Sequence, residues 1–350
     1  MTAGASRALD RALGALYGLA IGDALGMPTQ LMSPARIQAL YGRIEGFGPA
    51  AEDHPIAAGL PAGSITDDTE QAVLLGQLLI EGDGDVDPIR FAEELIGWER
   101  RVVARGGLDL LGPSTRRALA ALNAGAPPDE AGRYGDTNGA AMRIAPVGIA
   151  VPPKPLAALI DTVAATSRAT HNTGLAIAGA AAVAAAVSVG IAGEPWRMAV
   201  DTAIGAAKLG AGKGHWVAGA DVASRISWAV GLVDGLREAA AAQVITQLVG
   251  TSLATQEAVP AAFAVLAAAQ GDPWRAALLA ANLGGDADTI GAMAGAIGGA
   301  CAGFSALPPS AVAIVRRVND LDLDTLARRL LDLRSRRLED KALVHGSAPP

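Results

Sequence analysis

The 350-residue chain carries a single cysteine, Cys301, which excludes an internal disulfide and any zinc site built from several thiolates. Aromatic residues make up only 3% of the sequence, whereas glycine alone occupies 43 positions. A core with so few large anchors has to come from small-residue helices that approach one another closely. Runs alternating β-branched or aromatic residues with polar ones between hairpin turns are nearly absent, so the expected class is all-α, a compact helical bundle. Basic surplus is missing too: 28 Lys and Arg stand against 35 Asp and Glu, for a net charge of -7 and a pI of about 5.2. That balance offers no electrostatic footprint for nucleic acid. No basic flank followed by an apolar stretch opens the chain, and a cytoplasmic location is expected.

What is present is a hydrophobic content of 51%, enough for a sizeable core. Helical periodicity and breakers predict helices over 5–25, 34–41, 67–81, 88–104, 114–123, 139–150, 155–167 and 173–191. Further helices are expected over 195–208, 219–228, 235–249, 256–269, 273–282, 288–303, 309–318 and 322–337. None of the intervening breakers is long enough for a domain linker. One domain over 5–338 is therefore expected, with a disordered tail over 339–350 that has neither period nor core. The uncharged run from Gly174 to Gly193 is long enough to cross a membrane. Its residues are chiefly Ala and Gly, which contribute little apolar area, so a buried core helix is the expected reading and no membrane partner is. Gly210-Ala211-Gly212-Lys213-Gly214 looks phosphate-binding but lacks the following Ser or Thr and a preceding strand, and reads as a loop.

Two acidic stretches, each at an expected helix start, carry the chemistry. In Thr66-Asp67-Asp68-Thr69-Glu70, capping and the helix macrodipole account for one acid. Three acids and two threonines crowded together make sense around a cation, whose hard oxygen donors they would be. Gly284-Gly285-Asp286-Ala287-Asp288-Thr289 has the same design, with a glycine pair that permits a tight backbone. Its plain alternative is a turn followed by Asp288 as an N-cap. Two such clusters from separate segments suit a two-cation site, where a shared carboxylate bridges the ions. The loop Tyr134-Gly135-Asp136-Thr137-Asn138-Gly139 precedes another helix start and suits phosphate or sugar oxygens, or is simply a turn. His171, between polar neighbours, reads either as a structural hydrogen-bond partner or as a site residue.

In chain order, Gly18-Leu19-Ala20-Ile21-Gly22-Asp23-Ala24-Leu25-Gly26, Thr66-Asp67-Asp68-Thr69, Asn138-Gly139-Ala140-Ala141-Met142-Arg143, Thr170-His171 and Gly284-Gly285-Asp286-Ala287-Asp288-Thr289-Ile290-Gly291 resemble the ADP-ribosylglycohydrolase family. The resemblance spans about 10–335 and rests chiefly on the two acidic motifs. It implies an all-α domain with two divalent cations, Mg²⁺ or Mn²⁺, in a cleft. Thr66, Asp67, Asp68 and Asp288 would hold one ion, and Asp286, Asp288 and Thr289 the other. Gly135, Asn138 and Gly139 would meet the phosphates or distal ribose, with His171 lining the cleft beside them. The implied activity is a glycosidase-type hydrolysis that cleaves the ribosyl bond of ADP-ribosylated protein, arginine-linked above all, with Asp67 or Asp68 directing the attacking water. A small nucleoside or free ADP-ribosyl compound is the alternative substrate. A non-catalytic ADP-ribose-binding or structural relative is the alternative class. Many members of the family carry a glutamate where this chain has Gln30, which keeps a carbonyl and an amide for metal or substrate but cannot be a base.

Overall fold

Small residues decide how this chain packs. In the computed structural model, which describes residues 3–108 and 111–346, the helix Gly174–Ala192 is the central one, with 94% of its apolar window buried. The helices Trp196–Gly210, Ala287–Ala302, Ala145–Ala150 and Leu156–Ser167 surround it. Its length would suffice for a membrane, but here every side is covered by protein, as expected from its Ala content. Among the described residues the only β-type pairings are two isolated bridges, Thr137 with Ala254 and Thr173 with His215, so the chain is all-α.

The helix Ala3–Gly26 lies along Ala287–Ala302 in the most extensive helix pair of the fold. Gly14, Gly18, Gly22 and Gly26 recur every fourth residue and so form one stripe, which meets Gly291, Gly295 and Gly299 of the other helix. A Cβ on Gly18 would sit 2.2 Å from the Gly295 carbonyl oxygen, and one on Gly22 would sit 2.0 Å from that of Gly291. A Cβ on Gly26 would lie 2.3 Å from the Asp288 Cα. The two backbones therefore touch, and their contact ends at the second acidic motif. That contact is how the fold fixes Asp288 against the turn that follows the first helix.

Helix boundaries follow local chemistry where the cap is local. Ser33 and Asp87 accept from the first-turn amides of helices that open on Pro34 and Pro88, and both helices begin where expected. Three expectations need correction. The expected helix 139–150 divides into Gly139–Met142 and Ala145–Ala150, because Pro146 has no N–H to donate to the Met142 carbonyl and so fits only at the start of a new helix. The expected helix 235–249 starts at Glu238 and finishes as a π-turn, Ile245–Val249. The last helix runs Leu323–Gly346, well past 337, and the rest of the expected disordered tail, 347–350, lies outside the described residues. That helix is anchored by Arg334, whose buried guanidinium donates to the carbonyls of Gly148, Ile149 and Val151 at the end of Ala145–Ala150. Desolvation holds its pKa down to about 10. Gly210 ends the helix Trp196–Gly210, and Ala211 to Gly214 form an exposed turn whose Lys213 pairs with Asp161, as a loop should.

Candidate functional site

In neither acidic motif does the N-cap residue use its side chain to cap the helix. Thr66 occupies the N-cap position of Asp67–Glu81 with extended backbone and makes no side-chain cap bond. The orphan amides are taken instead by Asp23, which arrives from the glycine-striped first helix. Its carboxylate accepts from Thr66 N at 3.0 Å, from Thr69 N at 3.1 Å, from the Thr66 hydroxyl at 2.7 Å and from the Thr69 hydroxyl. Asp23 is fully buried, and desolvation pushes its pKa up to about 6 against the opposing pull of those bonds. Asp286 likewise precedes Ala287–Ala302 without a side-chain cap bond, so the plain N-cap reading fails for both motifs.

With capping handled from elsewhere, the acids face one another. The Thr289 hydroxyl donates to Asp68 Oδ2 at 3.3 Å, joining side chains 221 positions apart. The Thr66 hydroxyl lies 3.2 Å from the same oxygen. Asp68, Asp288, Thr66 and Thr289 are all buried, while Asp67 and Asp286 are half-buried. Gly284 and Gly285 adopt φ of +69° and +63°, and a Cβ on them would strike Met32 O and Thr251 O at 2.1 and 2.3 Å. That close passage draws the segment after the first helix onto the motif, with Leu31 N donating to Gly285 O and Gly285 N to Met32 O. The Asn138 amide donates to Asp286, whose carboxyl is raised above its usual range by burial despite help from Asn138 and Thr289.

A cleft of about 150 Å³ is lined by Gln30, Asp67, Asp286, Asp288 and Thr289 together with Thr137, Asn138 and Gly139. Gln30 is 4% exposed, and its Nε2 has no hydrogen-bond partner. Its backbone carbonyl accepts from His54 Nε2 at 3.0 Å, while His54 Nδ1 accepts from Ala57 N at 2.9 Å. The ring is therefore neutral with its proton on Nε2, and burial keeps its pKa below the ordinary value. Among the described residues no three His, Cys, Asp or Glu side chains already form a metal-holding group. The donor set that fits a cation mixes carboxylates with threonine hydroxyls, all hard oxygens of the kind that take Mg²⁺ or Mn²⁺ rather than softer metals.

Two expected residues lie elsewhere. His171 and Gly135 are buried behind the cleft wall rather than on it, because Gly135 and Gly139 let the loop close over Thr170-His171. A Cβ on Gly135 would lie 2.2 Å from Thr170 O, and one on Gly139 would lie 2.8 Å from the His171 ring. His171 ends a buried chain that starts at the first motif. Gln71 Nε2 donates to Asp67 Oδ2 at 2.9 Å, Arg143 Nη1 donates to Gln71 Oε1 at 2.8 Å, and Arg143 Nη2 donates to Thr170 Oγ1 at 2.7 Å. His171 Nδ1 lies 2.9 Å from Thr170 Oγ1, and its Nε2 lies 3.1 Å from Thr137 Oγ1. Burial first, then the charges of Arg143 and Arg117, hold the His171 pKa well below 6.5. The ring is neutral and holds Thr137 in place at the cleft.

Asp23, Arg143 and Thr137 were not singled out as site residues by sequence. Asp23 sits inside a quoted motif, and a lone acid next to Gly22 in an otherwise apolar stretch is the available signal. Asp23→Ala should destabilise the fold by about 3 kcal/mol or more, since it strands the Thr66 and Thr69 donors in a buried setting. Asp23→Asn should lose less. A urea midpoint for Asp23→Ala equal to that of wild type would rule out this role.

The sequence profile of the family described as ADP-ribosylglycohydrolase matches residues 5–339. An uncharacterised protein, YegU of Escherichia coli (strain K12), is 40% identical over 331 residues, which cover 94% of this chain and 98% of that one. The ADP-ribosylarginine hydrolase Tri1 of Pseudomonas putida (strain GB-1) is 30% identical over 359 residues, covering 97% of this chain and 83% of its own. A solved structure named ADP-ribosylglycohydrolase-related protein complex superposes with a TM-score of 0.66 at 25% identity, over 94% of this chain and 99% of that chain.

Proposed function

The chain belongs to the ADP-ribosylglycohydrolase family, and from that premise we propose that it hydrolyses the ribosyl glycosidic bond of ADP-ribosylated protein, with arginine as the acceptor and divalent cations as cofactors. The observation that carries the reading is the meeting of Asp68 with Thr289 beside Asp67, Asp286 and Asp288 in one cleft. Thr66, Asp67, Asp68 and Asp288 would hold one ion, and Asp286, Asp288 and Thr289 a second. When bound, such ions supply Lewis-acid polarisation and lower the pKa of water.

The protein's own groups do the rest. Asp67 or Asp68 takes the proton of the attacking water, and Gln71 fixes the rotamer of Asp67 through its 2.9 Å bond. Gln30 offers its unpartnered amide to a sugar oxygen and takes no proton itself, so the proton work falls to the aspartates. Thr137 and Asn138 line the same cleft, where their polar side chains would meet phosphate or ribose oxygens. Tri1, by name an ADP-ribosylarginine hydrolase, supports the arginine acceptor.

Release of ADP-ribose from an arginine-modified protein should require Mg²⁺ or Mn²⁺, and EDTA should abolish it reversibly, read by chromatography of the released nucleotide. Tight ADP-ribose binding with no turnover under either cation would sink the hydrolase reading in favour of a binding protein.

A further inference from the structure

A second chamber, of about 350 Å³, opens on the other side of Asp67 and shares both Asp67 and Ile56 with the cleft. Its polar floor is Glu70, three residues after Asp67 and so on the same helical face. Trp98, almost fully buried, donates its Nε1–H to Glu70 Oε2. The walls are apolar, from Ile56, Leu60, Val102 and Leu108. The Glu70 carboxylate already holds a guanidinium of this same chain: Arg105 Nη2 donates to Oε1 at 2.6 Å and to Oε2 at 2.7 Å. That guanidinium uses one nitrogen for both oxygens and leaves the parallel two-nitrogen fork unused. The Arg105 side chain is 57% exposed, against 20% for Glu70, and two glycines follow it, Gly106 with φ of +81°.

We infer that this chamber seats the acceptor side of the substrate, with Glu70 as the guanidinium receptor and Arg105 as a resident stand-in that an acceptor arginine displaces. The inference rests on the hydrolase reading above and adds the residues that select the leaving group. Asp67 stands where the two chambers join, so a ribose over the aspartates would place its anomeric substituent toward Glu70. An arginine stem fits the apolar walls, and its head group meets the carboxylate with Trp98 holding the second oxygen in place. Arg105 has the opposite fate: exposed and on a glycine-flanked end, it returns to water when the substrate arrives.

The test compares arginine-linked with serine-linked ADP-ribose and measures binding of agmatine, a free guanidinium amine. Glu70→Gln should lower kcat/KM for the arginine-linked substrate by about ten- to a hundred-fold relative to the serine-linked one, mainly through KM, and should weaken agmatine binding similarly. Arg105→Ala should lower KM for the arginine-linked substrate and tighten agmatine several-fold by removing the competitor. An equal effect of Glu70→Gln on both substrates, or an Arg105→Ala protein with unchanged KM and agmatine affinity, overturns the assignment. If wild type cleaves neither substrate, the hydrolase reading is what fails. Agmatine binding that disappears in Glu70→Gln would then still support the guanidinium seat, and agmatine binding equally in both proteins would overturn it.

Discussion

Asp288→Asn is expected to reduce ADP-ribose release by a factor on the order of 10²–10³ or more, while leaving the metal-free protein folded. The side chain is 3% exposed and lines the cleft between the two motifs. Asparagine keeps the shape and one carbonyl oxygen but loses the charge and the second anionic oxygen, so it would hold the proposed cations much less well. The N-cap position of the helix Ala287–Ala302 belongs to Asp286, and asparagine in the first turn keeps helical geometry. Two buried carboxylates near one another repel in the absence of cations, so removing one charge should leave the metal-free melting temperature equal or higher. The rise in melting temperature on adding Mn²⁺ should shrink at the same time, since ligand stabilisation scales with affinity. Turnover and Mn²⁺-induced stabilisation within about twofold of wild type would remove Asp288 from the site.

That double readout depends on features the sequence showed unevenly. Helix starts were legible where the signal is local: Pro34 after Ser33 and Pro88 after Asp87 need only their neighbours. The small-residue core was legible as well, because few aromatics and many glycines leave close helix contact as the remaining way to fill space. The two acidic motifs stood out as crowded charge. What local patterns cannot show is which group caps a helix from a distance. Asp23 lies 43 positions before Thr66, and although an acid in an apolar stretch is conspicuous, its partner is not named by any local pattern. His171 shows the same limit in reverse. Its neighbours are polar, yet the glycine contacts of Gly135 and Gly139 place it behind the wall, where it orients Thr137 instead of meeting a ligand. Arg143 was visible as part of a motif, but its link from Gln71 to Thr170 is a property of packing. The aromatic Phe91 face beneath its guanidinium could not be paired with it by spacing.

The glycine stripe makes the second large prediction, because it ties stability to the site. Gly295→Val should destabilise the protein by at least about 3 kcal/mol, at or beyond the usual range for overpacking, since the clash is with backbone rather than a flexible side chain. A Cβ on Gly295 would lie 2.1 Å from the Gly18 carbonyl oxygen, so the helices Ala3–Gly26 and Ala287–Ala302 must part. Parting them breaks the Gly26 contact with Asp288 and shifts Asp23 relative to Thr66, so metal-dependent turnover should fall even in the fraction that stays folded. Gly231→Ala supplies the contrast. Gly231 sits in the helix Val222–Val233, and a Cβ there meets nothing within 4 Å. That change should leave turnover alone and raise stability by up to about 1 kcal/mol through helix propensity. Urea denaturation of both variants separates a backbone contact from a general intolerance of larger side chains in glycine-rich helices. If Gly295→Val unfolded at the wild-type midpoint, the backbone contact would not be what sets the position of Asp288, and the spacing of the two acidic motifs would need another cause.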